Sequence, residues 1–236
     1  GRFSDFEAIL DFVGTGWSGL RDTVEAQVRD RSFILDSPLQ TTLYQGTGGK
    51  EGGADIEGQP KPLIFGKVRN VTAVLIDATN LIYQVHDGSL TSIDDVYDQG
   101  LALTFDNSVG DVADYSALVG ASVAFTEYAT ATAVGMFKLG SSPAGQITAD
   151  ATGTVTAVDD ILLDILRTYA GEPETRIGTA SITGFATLRS GPVGTFIGTS
   201  ERPAISRVIN RLVNGLGGVA GYNRKGIFEV FRLRDP

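Results

Sequence analysis

The side chains best suited to chemistry in this sequence are six aspartates in two short clusters. They are Asp94, Asp95 and Asp98, followed by Asp106, Asp111 and Asp114. Neither cluster has the spacing of a twelve-residue calcium loop, which ends in a glutamate. Two carboxylates facing one cleft can cleave a glycosidic bond, but that chemistry needs a separation that only the fold sets. Because aspartate also favours turns, the pattern predicts solvated turn residues, with a glycan hydrolase as the alternative.

The chain contains one histidine, His86, and no cysteine. A single histidine without cysteines excludes the usual histidine- and cysteine-based zinc sites. The adjacent Asp87 would point to the opposite face of a strand, so it is badly placed to orient the ring for a catalytic triad. No G-x-S-x-G motif supplies a nucleophile. We therefore expect a structural histidine, no metal, no cofactor and no enzymatic activity.

Two glycine-rich stretches have the outline of phosphate-binding loops. Residues 14–19 match G-x-G-x-x-G and Asp36 follows at a suitable distance, but residues 23–30 alternate like a strand where the motif needs a helix. Residues 46–51 lack the spacing of a phosphate loop, and Glu51 stands where a serine or threonine must reach magnesium. Neither stretch is therefore predicted to bind a nucleotide.

Composition limits the classes of partner. The 236 residues allow one large domain or two small ones, and 42% of them are hydrophobic, enough for an ordinary core. A net charge of −9 predicts no general nucleic-acid binding, because a negatively charged surface repels the phosphate backbone. No apolar run approaches the roughly 18 residues of a membrane span, so no membrane segment is expected.

Hydrophobic periodicity predicts an α+β fold that is mainly β. Strands are expected at 6–13, 23–30, 63–69, 71–77 and 80–86, with turns at 14–19, 69–70 and 77–80. A further hairpin is expected at 95–105, and residues 121–139 are expected to be strand or irregular structure. Helical spacing predicts helices at 157–169 and 203–216, and a hairpin of residues 219–222 and 227–233 follows. We therefore expect a β-barrel or hairpin-rich domain over 1–150, with a glycine-rich arm at 45–62, and a smaller α+β subdomain over 151–236.

Short motifs along the chain resemble those of one group of proteins. They are RDRS (29–32), PLQ (38–40) ahead of Tyr44, GTGG (46–49), EGGAD (51–55), GQPKP (58–62), FG (65–66), NV (70–71), IYQVHDG (82–88), VYD (96–98), GMFKLG (135–140) and PAGQITAD (143–150). In their order and spacing they resemble the tail-tip or baseplate hub proteins of long-tailed, siphovirus-type bacteriophages and phage-like gene transfer particles. The resemblance covers residues 25–150 well and continues more loosely to 236.

The resemblance implies a structural virion protein. Such hubs form a small ring at the tip of the tail tube, with interlocked β-barrels around a channel and an α+β subdomain. For this chain it implies a homo-oligomeric ring of three copies, alternatively six, that lines the DNA channel and joins the tube to the distal tail, spike or fibre proteins. The location implied is the tail tip or baseplate of the virion, after assembly in the host cytoplasm.

The alternative function is a tail-associated carbohydrate-binding module or glycan hydrolase. The aromatic side chains that could line a sugar or partner site are Trp17, Tyr44, Tyr83 and Tyr97. Such side chains are also common anchors of cores and interfaces. An exposed aromatic patch would favour the binding module, and a carboxylate pair in a cleft would favour the hydrolase.

Contacts with neighbouring subunits are expected in the glycine-rich arm and in the last strand. The residues concerned are Tyr44, Gly48, Gly49, Pro60, Pro62, Phe228 and Val230. An arm of this length without regular structure is usually functional or disordered, and we expect it to extend over a neighbouring subunit. The last strand carries apolar groups on both faces, more than one small sheet face can bury.

Overall fold

The chain forms two compact units, each built from separate stretches of sequence. The computed structural model describes residues 11, 13–20 and 22–232. The β unit comprises Gln40–Ala157 and Gly191–Arg202, and the mixed unit comprises the described residues up to Leu39, Val158–Ser190 and 203–232. This division differs from the predicted single boundary at 150. The chain leaves the β unit close to that point, but the residues before 40 group with the C-terminal part.

The predicted class, α+β and mainly β, is confirmed. Within the described residues the strands are β1 (Val13–Leu20), β2 (Thr23–Arg29), β3 (Leu63–Thr72), β4 (Val74–Asp77), β5 (Ile82–Gln84), β6 (Leu90–Asp98), β7 (Leu101–Ala102), β8 (Thr104–Phe105), β9 (Glu127–Ala131), β10 (Met136–Leu139), β11 (Ile147–Gly153), β12 (Gly194–Ile197), β13 (Gly218–Tyr222) and β14 (Phe228–Arg232). The α-helices are α1 (Tyr115–Gly120), α2 (Val158–Asp164), α3 (Thr179–Thr187) and α4 (Ile205–Gly215).

Two five-stranded sheets make up the β unit. Their strand orders are β12-β3-β11-β6-β7 and β4-β5-β10-β9-β8, and only the β8–β9 pair is parallel. β3 passes into β4 through Ala73, and β7 passes into β8 through Leu103, so the sheets are joined at two corners. Their inner faces share one core, in which Tyr83 stacks on Phe137 with ring centroids 5.5 Å apart. Strands that cross from one sheet to the other in this way are typical of barrel-like sandwiches.

The glycine-rich segment at 45–62 is a closed loop. The N–H of Tyr44 donates to the carbonyl of Gln59, and the N–H of Gly58 donates to the carbonyl of Tyr44, each at 2.9 Å. A 3₁₀ turn, Gly49–Glu51, lies within the loop, and Ile56 packs in the same cluster as Tyr44. The two ends of the loop therefore satisfy each other's backbone groups, which corrects the expectation of an extended arm.

Three helices and two hairpins form the mixed unit. The predicted helix at 157–169 consists of α2 followed by a wider π-helical turn, Ile165–Tyr169. The predicted helix at 203–216 is α4, whose buried stripe faces the unit's core. Helix α4 ends before Gly217, which has a φ of +75° that glycine adopts without steric cost. The hairpin β13–β14 agrees with the predicted one in position, up to Arg232, the last described residue.

The buried carboxylate of Glu172 links distant segments of this unit by hydrogen bonds. Glu172 accepts hydrogen bonds from Arg31 Nε at 3.1 Å and from the Tyr222 hydroxyl at 2.6 Å. Burial, and then the hydrogen bond to Glu172, raises the pKa of Tyr222 above its ordinary value. The contact joins residues 141 positions apart in sequence, so local pattern does not indicate it.

Some predicted elements differ from the structure. Residues 14–19, predicted as a turn, are part of β1, and the predicted strand at 6–13 lies almost wholly outside the described residues. The predicted turn near Asn70 is absent because β3 continues through it, with Asn70 in a left-handed conformation at φ +52°. The helices α1 and α3 and the strands β11 and β12 were not predicted.

Candidate functional site

A groove of about 440 Å³ opens where the end strands of the two sheets of the β unit meet. Leu101 and Leu103, at the corner between β7 and β8, line it together with Leu139 at the end of β10. The loop 141–144 and the turn at 125–126 complete the lining. The volume is in the range of about 300–1,000 Å³ that ligand clefts occupy.

Asp98 fixes the loop that forms one wall. Its two carboxylate oxygens accept the backbone N–H groups of Ala144 at 2.6 Å and Gly145 at 2.9 Å. The next residue, Gln99, has a φ of +51°, which turns the chain sharply from β6 into β7. Because both carboxylate oxygens hold backbone groups, Asp98 acts as a fixed acceptor in the wall of the groove.

The opposite wall presents Phe125 to solvent. Its side chain is 79% exposed, and Leu101 at the corner of the sheets is 74% exposed. Thr126 holds this turn in a left-handed conformation, φ +65°, which is unfavourable for a β-branched residue. The turn approaches the end of β10 at Gly140, where a Cβ atom would lie 1.8 Å from the Ala124 carbonyl oxygen. Only glycine fits that approach, so the wall has a defined position.

Asp106 holds the base of this wall. Its carboxylate accepts the N–H of Ala124 at 2.9 Å, and also the hydroxyl and N–H of Ser108 and the N–H of Val109. These hydrogen bonds, the Ser108 hydroxyl first, lower the pKa of Asp106 to about 2. The side chain is buried and organises the 106–124 loop, so it has a structural role rather than the predicted solvated one.

Glu127 is the second carboxylate in the groove. It lies at the start of β9, and its carboxylate makes no hydrogen bond or ion pair with any residue in the described part of the chain. The groove thus combines apolar walls with one acceptor that lacks a partner. With Asp98 committed to the backbone, the arrangement suits binding better than paired acid–base chemistry.

The other predicted aspartates have separate tasks. Asp94 pairs with Lys67 at 3.4 Å, Asp111 accepts the hydroxyls of Thr130 and Thr132, and Asp114 caps α1 by accepting the N–H of Ala117. Within the described residues no group of three or more His, Cys, Asp or Glu side chains is arranged to hold a metal ion.

A second candidate surface is the hairpin β1–β2 of the mixed unit. Trp17 pairs with Ala26, Gly19 with Val24 and Gly14 with Val28, so these side chains share one face. Trp17 is 76% exposed and Val24 is 74% exposed, and every residue of β2 is exposed. Two-stranded hairpins are marginally stable in water unless a face is covered. The apolar side chains of β2 alternate with polar ones as the sequence indicates, and the structure leaves both faces of the strand exposed.

His86 and Tyr44 belong to the interior of the β unit. His86 Nδ1 accepts the N–H of Ile64 at 2.9 Å, which links the segment that follows β5 to β3. The Tyr44 hydroxyl donates to Gln84 Oε1 at 2.7 Å, and Gln84 Nε2 donates to the His86 carbonyl at 3.0 Å. Burial, and then the nearby charge of Asp87, raises the pKa of Tyr44.

Most residues predicted to contact other subunits are buried in their own chain, which corrects that prediction for five of them. These are Tyr44, Pro60, Pro62, Phe228 and Val230. Gly48 is exposed and Gly49 is half-buried beside the Tyr115 ring. Of the candidate aromatics, Tyr83 is also buried, Tyr97 is half-buried and Trp17 is exposed. Leu101 lies in the predicted hairpin at 95–105, but periodicity does not show whether its face is covered, and Phe125 lies in no recognisable periodic pattern.

The described residues contain no helix that is long and apolar enough to cross a membrane. A scan of the sequence against protein-family models gave no match, and a search of curated proteins gave none either.

Proposed function

We propose that this chain is a structural component of a bacteriophage tail tip or baseplate hub. In this proposal it joins the tail tube to the distal spike or fibres, lines the DNA channel and has no enzymatic activity. It is assembled in the host cytoplasm as a ring of three copies, or alternatively six, and remains in the virion.

The observation that carries the proposal is the uncovered apolar face of the β1–β2 hairpin. Trp17, Val24 and Val28 share this face, and the large exposed fractions of all three side chains favour its use as a surface for another protein. A protein that assembles with other subunits needs an exposed apolar face, whereas a monomeric enzyme does not. The order of hub-like motifs in the sequence supports the same function.

Charge distribution gives further support. The β unit contains 14 acidic and 6 basic residues, a net −8 out of the chain's −9. An acidic channel wall repels the phosphate backbone and lets DNA pass without adhesion. The mixed unit, close to neutral, is better suited to protein contacts.

The proposal is tested by the mass of the purified chain and by an image of the particle that contains it. The expected result is a closed ring at the distal end of a tail tube, with three or six copies. A chain that stays monomeric and occurs as one copy in the tail, or a particle without a tail, would refute it.

A carbohydrate-binding module is the second candidate, because Phe125 is an exposed aromatic beside two carboxylates in one groove. Aromatic faces with nearby acceptors bind sugars. Titration with chitotetraose, followed by amide chemical shifts, distinguishes the two functions. Saturable shifts around residues 98–104 and 125–127 that Phe125→Ser removes would favour the module, and unchanged spectra would favour the hub.

A further inference from the structure

We infer that the groove of the β unit binds the apolar face of the β1–β2 hairpin of a second copy of this chain, with Trp17 as the anchor. The inference rests on the proposed function and specifies how its copies join. It assigns one contact that the ring would repeat at every subunit boundary.

The groove has room and partners for a large aromatic side chain. Leu101 and Phe125 stand exposed on either side of it, and Leu103 and Leu139 line its interior. A tryptophan or phenylalanine buries about 150–250 Å² of surface when it is covered, and an aromatic pair adds to that gain. The walls are fixed by Asp98 and by the close approach at Gly140, so the groove needs little reorganisation on binding.

Hydrogen bonding supports the same pairing. The indole N–H of Trp17 is a donor only, and the carboxylate oxygens of Glu127 are acceptors. The carboxylate of Glu127 has no hydrogen-bond or ion-pair partner among the described residues. Two hairpin faces packed against each other would bring two indole donors together without an acceptor, whereas hairpin and groove supply one of each.

Charge also selects this hairpin face. Val24, Ala26 and Val28 alternate with the charged and polar side chains of β2, so Glu25, Gln27 and Arg29 lie on the opposite face. Among the paired residues of the hairpin, the face that carries Trp17 therefore brings no carboxylate to a groove that already has two. The other exposed apolar pair of the mixed unit, Val219 and Phe231, shares its face with Glu229, which would repel the groove.

The contact joins two different surfaces, so it is head-to-tail. Such contacts close into rings when the rotation between copies allows it. A single anchor covers less than the roughly 800 Å² per partner of a standard interface. We therefore assign Trp17 and the groove that receives it as the hot spot of a larger interface.

The test uses two complementary variants of the whole chain. Trp17→Ser has a defective hairpin and an intact groove, and Phe125→Ser has an intact hairpin and a defective groove. Sedimentation at about 0.1 mM should show rings for the wild type and, for each variant alone, a dissociation constant weaker by about 30-fold or more. An equal mixture of the two variants should form dimers, because one intact hairpin can still meet one intact groove.

Leu188→Ser is the matched control, since Leu188 is an exposed apolar residue on neither surface. It should associate as the wild type does, and circular dichroism should show all variants folded. The inference is overturned if the wild type stays monomeric, if either variant keeps wild-type association, or if the mixture does not associate. Rings that persist in both variants, with the chain still seen at the tail tip, would overturn this contact while leaving the proposed function in place.

Discussion

Replacing Phe228 by alanine should destabilise the mixed unit far more than the same change at Phe231, three residues along the same strand. Phe228 is 1% exposed, and its ring meets Tyr222 edge to face with centroids 5.5 Å apart. Phe231 points to the other face of β14 and is 54% exposed. Successive side chains of a strand alternate between faces, which separates two identical residue types into two environments.

The expected magnitudes follow from that difference. Truncating a fully buried phenylalanine removes its transfer free energy and leaves a cavity, which together cost about 3–5 kcal/mol. An exposed truncation changes the free energy of unfolding by about 0.5 kcal/mol or less. Total stabilities are commonly about 5–15 kcal/mol, so Phe228→Ala removes a large part of the stability of its unit.

The assay is hydrogen–deuterium exchange of the peptide that covers residues 218–232, because the two units can unfold separately. Phe228→Ala should accelerate exchange there by about two to three orders of magnitude, at a tenfold change per 1.4 kcal/mol. Phe231→Ala should leave it nearly unchanged when measured at low protein concentration. Equal effects of the two variants, or a change under tenfold for Phe228→Ala, would refute the assignment of the inner face.

Three other predictions concern backbone geometry and pH. Gly66 and Gly58 both have positive φ, +71° and +77°, but a Cβ atom at Gly66 would lie 1.9 Å from a carbonyl oxygen, whereas one at Gly58 meets open space. Gly66→Ala should therefore lower the free energy of unfolding, measured by urea denaturation, by about 1–3 kcal/mol more than Gly58→Ala does. Equal losses of stability would contradict the packing around Gly66. Because the pKa of Asp106 is lowered in the folded protein, its contribution to the free energy of unfolding is complete above the pKa of the unfolded chain, about 3.9, and is lost as the pH falls towards 2. Asp106→Asn should flatten the fall in stability over that interval, and an unchanged slope would refute the role. The pKa of Tyr222 is raised, so its contribution to the free energy of unfolding is complete below about pH 10 and is lost as the pH rises above that value. Tyr222→Phe should weaken the loss of stability at alkaline pH. An identical alkaline profile would count against the buried hydrogen bond.

Elements with a strong local pattern were predicted well. The stripe of Ile205, Val208 and Leu212 recurs at helical spacing, and it places α4 within two residues of its predicted bounds. The turn predicted at 77–80 is also local, since Asp77 accepts the N–H groups of Thr79 and Asn80 at 3.0 Å each. Helix α3 escaped prediction because threonine and glycine make up much of it, and its formation depends on burying Ile182 and Phe185 in the unit.

Features that depend on distant partners could not be predicted in this way. The glycine-rich loop is closed by hydrogen bonds between its two ends and packs on Tyr44, while its composition by itself fits an extended arm equally well. The groove exists only because β7 and β8 end two different sheets and because Asp98 holds a loop 46 residues away.

The sequence by itself determined the class of the fold, the two long helices, the closing hairpin and the alternation that gives β2 an apolar face. Those features arise from the helical and strand periods, which act between residues a few positions apart. Only the tertiary structure decided which apolar faces are covered. It buried Phe228 and Val230 within the chain and left Trp17, Phe125 and Leu101 exposed, because burial depends on which distant segments meet in space.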